Sequence, residues 1–317
     1  MQAVVDVVFP VFGLILVGLI AGRFRILGQD STEALNKFVY WFALPALFFL
    51  GMSRVPVGDV FNLAYIGTFL GGVVGAALVV AAVARFAFPA RPEETAIAAF
   101  LGAFSNSGYM GIPFFLTAFG AAGQLPVIIA SVLNGAVVVS SAAIAVELTL
   151  HRDRPITAAL AEVGKAIVAN PLMIAMTGGI LWSAAGIGMP RSFVVFFELL
   201  GACAGPCALF AVGLFLAGQR TSALFDRRRG VEVWWLSLVK VLVQPAITWA
   251  VGLGFGLPSF WLASAVISAA FPAGATAFVI AQRYKVFVER TSATILLSTV
   301  LSLLTLSAFM ILLDPKP

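Results

Sequence analysis

The chain has 317 residues, of which 61% are hydrophobic and 10% charged, with a mean hydropathy of +1.06. A soluble domain carries roughly 25% charged residues, so this chain has too few ionic groups to cover a water-facing surface of its size. That excludes a cytosolic enzyme, a secreted disulfide scaffold and a disordered interaction hub, and the net charge of +5 needs a source other than nucleic-acid binding.

A membrane-spanning helix needs about 20 mostly apolar residues. Charge-poor runs predict ten spans, at 3–23, 34–53, 60–85, 94–119, 125–150, 166–186, 191–217, 231–255, 259–283 and 289–313. The first has no basic segment before it and carries Asp6, which predicts a retained helix and not a cleaved signal. Two long uncharged stretches are divided by turn chemistry: Phe119-Gly120-Ala121-Ala122-Gly123 before Gln124-Leu125-Pro126, and Gly254-Phe255-Gly256-Leu257-Pro258. Cys203 and Cys207 stand in an apolar run as small fillers.

Fifteen lysines and arginines fall in one alternate set of loops; Arg54, Arg191 and Lys316 fall in the other, and Lys240 lies inside a span. Positive charge collects on the cytoplasmic side. Both termini are therefore expected outside the cytoplasm, and the basic isoelectric point of 9.6 reads as a topology signal. The Arg227-Arg228-Arg229 run fits a cytoplasmic anchor that attracts anionic lipid. His151, in the loop beside Arg152, fits a surface position.

The longest connection, about 151–165, divides the spans into five (1–150) and five (166–317). An odd number in each half turns the second half upside down. A weak echo supports this: Pro45-Ala46-Leu47-Phe48-Phe49-Leu50-Gly51 in span 2 against Cys207-Ala208-Leu209-Phe210-Ala211-Val212-Gly213 in span 7. Inverted repeats mark secondary transporters, whose sites lie where broken helices of the two halves meet. Equivalent spans 4 and 9 carry the breaking residues: Ser105, Asn106, Ser107, Gly108, Tyr109, Gly111 and Pro113 in one, Pro272, Ala273, Gly274 and Thr276 in the other. Pro deletes a helix hydrogen bond and Gly permits unwinding. Two broken helices facing each other expose N–H groups and positive dipole ends, an anion site that needs no arginine. Ser105, Asn106, Ser107, Tyr109, Pro272, Ala273, Gly274 and Thr276 are the expected substrate-binding positions.

Lys240, about nine residues into span 8, is a candidate to balance a substrate carboxylate, the alternative being that it snorkels to the interface. Glu198 in span 7 is a second possible charge partner; Glu147 and Asp6 lie near span ends. No carboxylate occupies the apolar centre of spans 3, 4 or 9. No cofactor or metal is expected, and proton or sodium coupling stays open. An intramembrane enzyme would need a nucleophile and base or a metal cluster, and the chain offers none. A channel or a membrane sensor is the alternative from a different class.

Across nearly its whole length the chain resembles the auxin efflux carrier family, including its bacterial permeases. The likeness is carried by Asn36-Lys37-Phe38-Val39-Tyr40-Trp41-Phe42-Ala43-Leu44-Pro45, by Asn106-Ser107-Gly108-Tyr109-Met110-Gly111-Ile112-Pro113, by Asn170-Pro171-Leu172, by Lys240-Val241-Leu242-Val243-Gln244-Pro245 and by the run from Pro272 to Tyr284. The resemblance implies a ten-helix inverted-repeat fold like that of bile-acid transporters, with broken helices 4 and 9 crossing at Asn106 and Pro272. It implies a scaffold of spans 1, 2, 6 and 7, a transport domain of spans 3–5 and 8–10, elevator-type movement, homodimers and residence in the cell (inner) membrane. It further implies a small organic carboxylate as substrate, auxin in plants and malate or malonate in bacteria, with sodium coupling of the bile-acid type as the rival. The sequence departs from the plant pattern at Ser105, where a proline precedes the asparagine, so unwinding in span 4 rests on Gly108 and Gly111.

Overall fold

The computed structural model describes residues 2–88, 90–150, 167–219 and 222–315, with positions 157, 161, 164 and 165 between them. His151, Arg152, Arg154, Arg220 and Lys316 lie outside the described residues. Among those described the fold is all-helical. The sole β-type pairing is an isolated antiparallel bridge between Ser105 and Ala273.

The helices used below are α1 (Gln2–Arg23), α2 (Gln29–Phe38), α3 (Leu44–Ser53), α4 (Leu63–Phe86), α5 (Pro92–Ala103), α6 (Ile112–Phe119), α7 (Gln124–Val132), α8 (Val139–Leu150), α9 (Pro171–Ala184), α10 (Arg191–Ala202), α11 (Ala204–Ala217), α12 (Arg227–Leu238), α13 (Gln244–Gly254), α14 (Ser259–Ala270), α15 (Thr276–Tyr284) and α16 (Val288–Leu313). Among the described residues seven helical stretches are long and apolar enough to cross a membrane, and α9 and α14 are shorter apolar helices. One of the seven, Ser107–Leu150, runs for 44 residues. At 1.5 Å per residue that is about twice a bilayer core, and the chain does turn within it. Gly120 adopts φ +56°, reserved for residues without a Cβ, and opens a 3₁₀ turn over Gly120–Gly123. Gly256, at φ +65°, makes the corresponding turn between α13 and α14. Both lie in the segments whose glycines predict turns.

Among the described residues four π-helical segments interrupt the helices: Val39–Ala43, Ser107–Gly111, Leu133–Val138 and Val239–Val243. Three are followed at once by a proline at the second residue of the next helix: Pro45, Pro113 and Pro245. A proline ring clashes with the carbonyl four residues earlier and donates no N–H. Widening the preceding turn removes the clash, and in each case that carbonyl lies inside the π segment.

Caps and buried ion pairs fix the helix ends near the charged face. Asn170 caps α9, its Oδ1 accepting from the Leu172 N–H at 2.9 Å, with Pro171 in the first turn. Asp226 caps α12, accepting from the N–H groups of Arg229 (2.8 Å) and Arg228 (3.1 Å). These bonds, that of Arg229 foremost, hold its carboxyl below the usual aspartate range. Arg290 of α16 donates to Glu94 of α5 (2.6 Å) and Glu232 of α12 (2.8 Å), and its guanidinium stacks on Phe287 at 3.8 Å. Tyr284 donates to Glu147 at 2.9 Å.

Packing is most extensive within two groups of helices. In one, α1 lies along α11, and α3 packs on α9 and α10. Glycines allow backbone contact at these crossings: Gly18 meets the Phe210 carbonyl, Gly213 the Ile15 carbonyl, and Gly179 the Phe49 carbonyl. In the other group α4 packs on α13 and α5, α13 on α14, and α12 on α16. Gly72 of α4 rests against Thr248 of α13.

Candidate functional site

Two interruptions of the helical ladder meet at the centre of the second group. After α5 the chain extends at Phe104 (φ −85°, ψ 113°), and Asn106 takes φ −77°, ψ 51° before the π segment begins. After α14 it extends at Phe271 (φ −60°, ψ 147°). The two extended pieces run antiparallel, bridging at Ser105 and Ala273, with the Asn106 N–H donating to the Pro272 carbonyl at 2.8 Å. Pro272 has no N–H to leave unpaired. The Ala273 N–H finds Ser298 Oγ of α16 at 3.2 Å. Gly274 permits the close approach, since a Cβ there would stand 2.5 Å from the Phe104 ring.

The carbonyl ends of α14 and α5 meet at Lys240, the first directly and the second through Gln244. Lys240, fully buried in its π segment, donates from Nζ to Ala269 O (2.5 Å), Gln244 Oε1 (2.6 Å) and Ser105 Oγ (3.0 Å). Gln244 in turn donates from Nε2 to Ala103 O at 2.8 Å, and Ser105 Oγ donates to Ala269 O at 3.4 Å. An ammonium has three donors, and all three are used. Two helix C-termini each carry about −0.5 of a charge; Lys240 donates to one of them and Gln244 to the other. Lys240 therefore does not snorkel. Ser105 supplies one of its three acceptors.

The N-terminal side of each inner half-helix is left for something else. The first π-helical N–H to bond is that of Met110, to Asn106 O at 3.1 Å, so those of Ser107, Gly108 and Tyr109 stay outside the ladder. Asn106 is 8% exposed, and its side-chain amide makes no hydrogen bond among the described residues. A Cβ placed on Gly108 would meet nothing within 4 Å, which marks open space against this terminus. Tyr109 is partly buried, its hydroxyl 3.4 Å from the Asn36 carbonyl of α2.

Ser105, Asn106, Ser107, Pro272, Ala273 and Gly274 are thus brought together and buried, with Tyr109 at their margin. Thr276 opens α15 on an exposed position. Glu198 is elsewhere, paired with Arg54 at 2.8 Å. Asn134 escaped the sequence reading. It sits in the π segment Leu133–Val138, is 2% exposed, and donates to Ser107 Oγ at 2.7 Å while its Oδ1 has no partner among the described residues. Gly135 beside it also faces open space. The signal available was a lone amide near the middle of a span whose nearest neighbours are apolar. Among the described residues no group of three or more His, Cys, Asp or Glu could hold a metal.

A family model described as "Membrane transport protein" matches residues 3–310. The chain belongs to this family. Auxin efflux carriers fall within it too. The chain is 30% identical over 315 residues to a protein named "Putative malonate transporter" from Rhizobium meliloti (strain 1021), covering 99% of this chain and 97% of that one. It is 22% identical over 309 residues to the "Uncharacterized transporter YfdV" of Escherichia coli (strain K12), covering 91% of each. It matches "Auxin efflux carrier component 8" of Arabidopsis thaliana at 26% over 159 residues, which is 49% of this chain and 42% of that protein. The family and these relatives are membrane transporters, not enzymes.

Proposed function

We propose that this membrane transport protein is a secondary active carrier of small organic carboxylate anions, binding them at the crossing of its two broken helices. The observation that carries the reading is the free Asn106 amide beside the unbonded N–H groups of Ser107, Gly108 and Tyr109, facing open space at Gly108. Each such terminus contributes roughly 0.3–2 kcal/mol toward an anion, which suits binding that must be reversible. The Rhizobium meliloti relative named "Putative malonate transporter" supports the choice of a small dicarboxylate.

The wider arrangement belongs to the same proposal. Ten spans form a 5+5 inverted repeat, 1–150 and 166–317 joined by 151–165, with both termini outside the cytoplasm and the arginine-rich face within it. Spans 1, 2, 6 and 7 form a scaffold that dimerises in the cell (inner) membrane. The remaining six move against it as an elevator. The two groups of helices that pack most extensively within themselves support this division. Lys240 bears on coupling: it and Gln244 already donate to the carbonyl ends that a sodium ion would otherwise bind.

The test is uptake of labelled malonate, malate, succinate and indole-acetate into proteoliposomes, with sodium present or replaced by choline. Saturable uptake of at least one, unchanged by choline, is expected. Uptake that requires sodium would favour a symporter of the bile-acid type, and uptake of none would contradict the carboxylate reading.

A further inference from the structure

A cavity away from the crossover holds a pair of opposite charges. A cleft of about 350 Å³ opens between α3 and α10 on one side and α6 on the other. Leu47, Leu50 and Arg54 of α3 and its end line one side with Phe197 and Glu198 of α10; α6, from Pro113, lines the other. Pro113 is six residues beyond Ser107 on the inner half-helix, about 9 Å along its axis. The cleft therefore borders the same half-helix whose N-terminus is free at the crossover, and approaches it from the arginine-poor face.

Arg54 is the one cation among the residues lining this cleft, and Glu198 the one anion. They pair at 2.8 Å with half of each side chain exposed. An exposed pair of this kind is worth only about 0.2–1 kcal/mol. It is a poor staple, yet a guanidinium beside a mouth of this volume is a ready carboxylate receptor, since its planar fork accepts a carboxylate bidentately.

We propose that Arg54 is an anion-capture residue on the substrate's path, and that Glu198 is its resident carboxylate, displaced by the carboxylate of an incoming substrate. This rests on the carboxylate reading given above. Glu198 holds the guanidinium toward the cleft while no anion is present. Once displaced, it repels the bound anion and keeps the site from becoming a trap. The remaining lining is largely apolar and offers the anion no competing cation.

The two charges then have opposite effects, which a staple would not produce. In proteoliposomes taking up labelled malonate, Arg54→Gln should raise KM by about fivefold, the loss of one exposed charge contact near 1 kcal/mol. Glu198→Gln should lower KM, by about twofold or more, because the competing carboxylate is gone. The double variant should behave like Arg54→Gln, and melting temperature in detergent should stay near the wild type in all three. Parallel increases in KM with a parallel loss of melting temperature would make the pair a staple and overturn the proposal. Unchanged KM in every variant would overturn it equally. Wild-type protein that takes up no carboxylate would remove the functional reading and this assignment together, an outcome separate from either of the others.

Discussion

Replacing Lys240 by methionine is expected to abolish transport and to lower the melting temperature in detergent by on the order of 10 °C. Methionine fills most of the lysine's volume, so the loss is chiefly of the ammonium. That leaves Ala269 O, Gln244 Oε1 and Ser105 Oγ without their donor at the centre of the protein. A buried polar group stripped of its partner costs about 1–3 kcal/mol, although interhelical bonds in membranes average nearer 0.6 kcal/mol because the unfolded helices find other partners. Three acceptors, one of them the helix-end carbonyl of Ala269, which keeps only the long 3.4 Å bond from Ser105 Oγ, put the total at about 2–5 kcal/mol. Against a total stability of about 5–15 kcal/mol that is a large fraction. The crossing itself is also affected, since the same cation holds α5, α12–α13 and α14 together. A Lys240→Met protein with wild-type melting and uptake would show that the crossing does not depend on this charge.

Asn106→Ala should do the reverse: leave stability within about 0.5 kcal/mol of the wild type and cut uptake at low substrate by at least tenfold. The backbone of Asn106 carries the contacts that build the crossing, namely its N–H to Pro272 and its carbonyl to Met110 and Gly111. Alanine keeps all of them. The side-chain amide, by contrast, serves nothing in the described protein. A hydrogen bond to a charged group is worth about 1.5–3 kcal/mol, which is roughly ten- to a hundredfold in affinity. Circular dichroism and melting in detergent, measured beside uptake, separate the two contributions. A large loss of stability with proportionate loss of uptake would assign Asn106 to architecture alone.

Much of the frame is legible in the residues because lipid restricts what a chain can do. Apolar runs must be helices, and the positions where they stop are written in Gly and Pro: Gly120 and Gly256 at turns, Gly108 and Pro272 at the interruptions. Three of the π segments have a local signal too, since Pro45, Pro113 and Pro245 each stand two residues beyond the end of one. The pairing of polar groups has no such signal. Lys240 stands out in the sequence as an intramembrane cation, but its acceptors at Ser105 and Ala269 lie 135 and 29 positions away. Their convergence depends on two helices breaking at matching depth. Arg54 and Glu198, 144 positions apart, meet for the same kind of reason. Asn134 was passed over because a single amide breaks neither helical periodicity nor charge balance, and its meaning appears only when Ser107 is placed against it.

The most direct test of the central claim, that a carboxylate binds at the crossing, is protection of a cysteine placed there. Gly108→Cys in a Cys203→Ser/Cys207→Ser background puts a thiol into open space beside the free N–H groups. Its rate of alkylation by a small maleimide would be measured with and without malonate. The account predicts that malonate slows alkylation in a saturable way, and that adding Asn106→Ala removes the protection. Alkylation at the same rate with and without malonate, in a protein that still transports it, would place the substrate elsewhere.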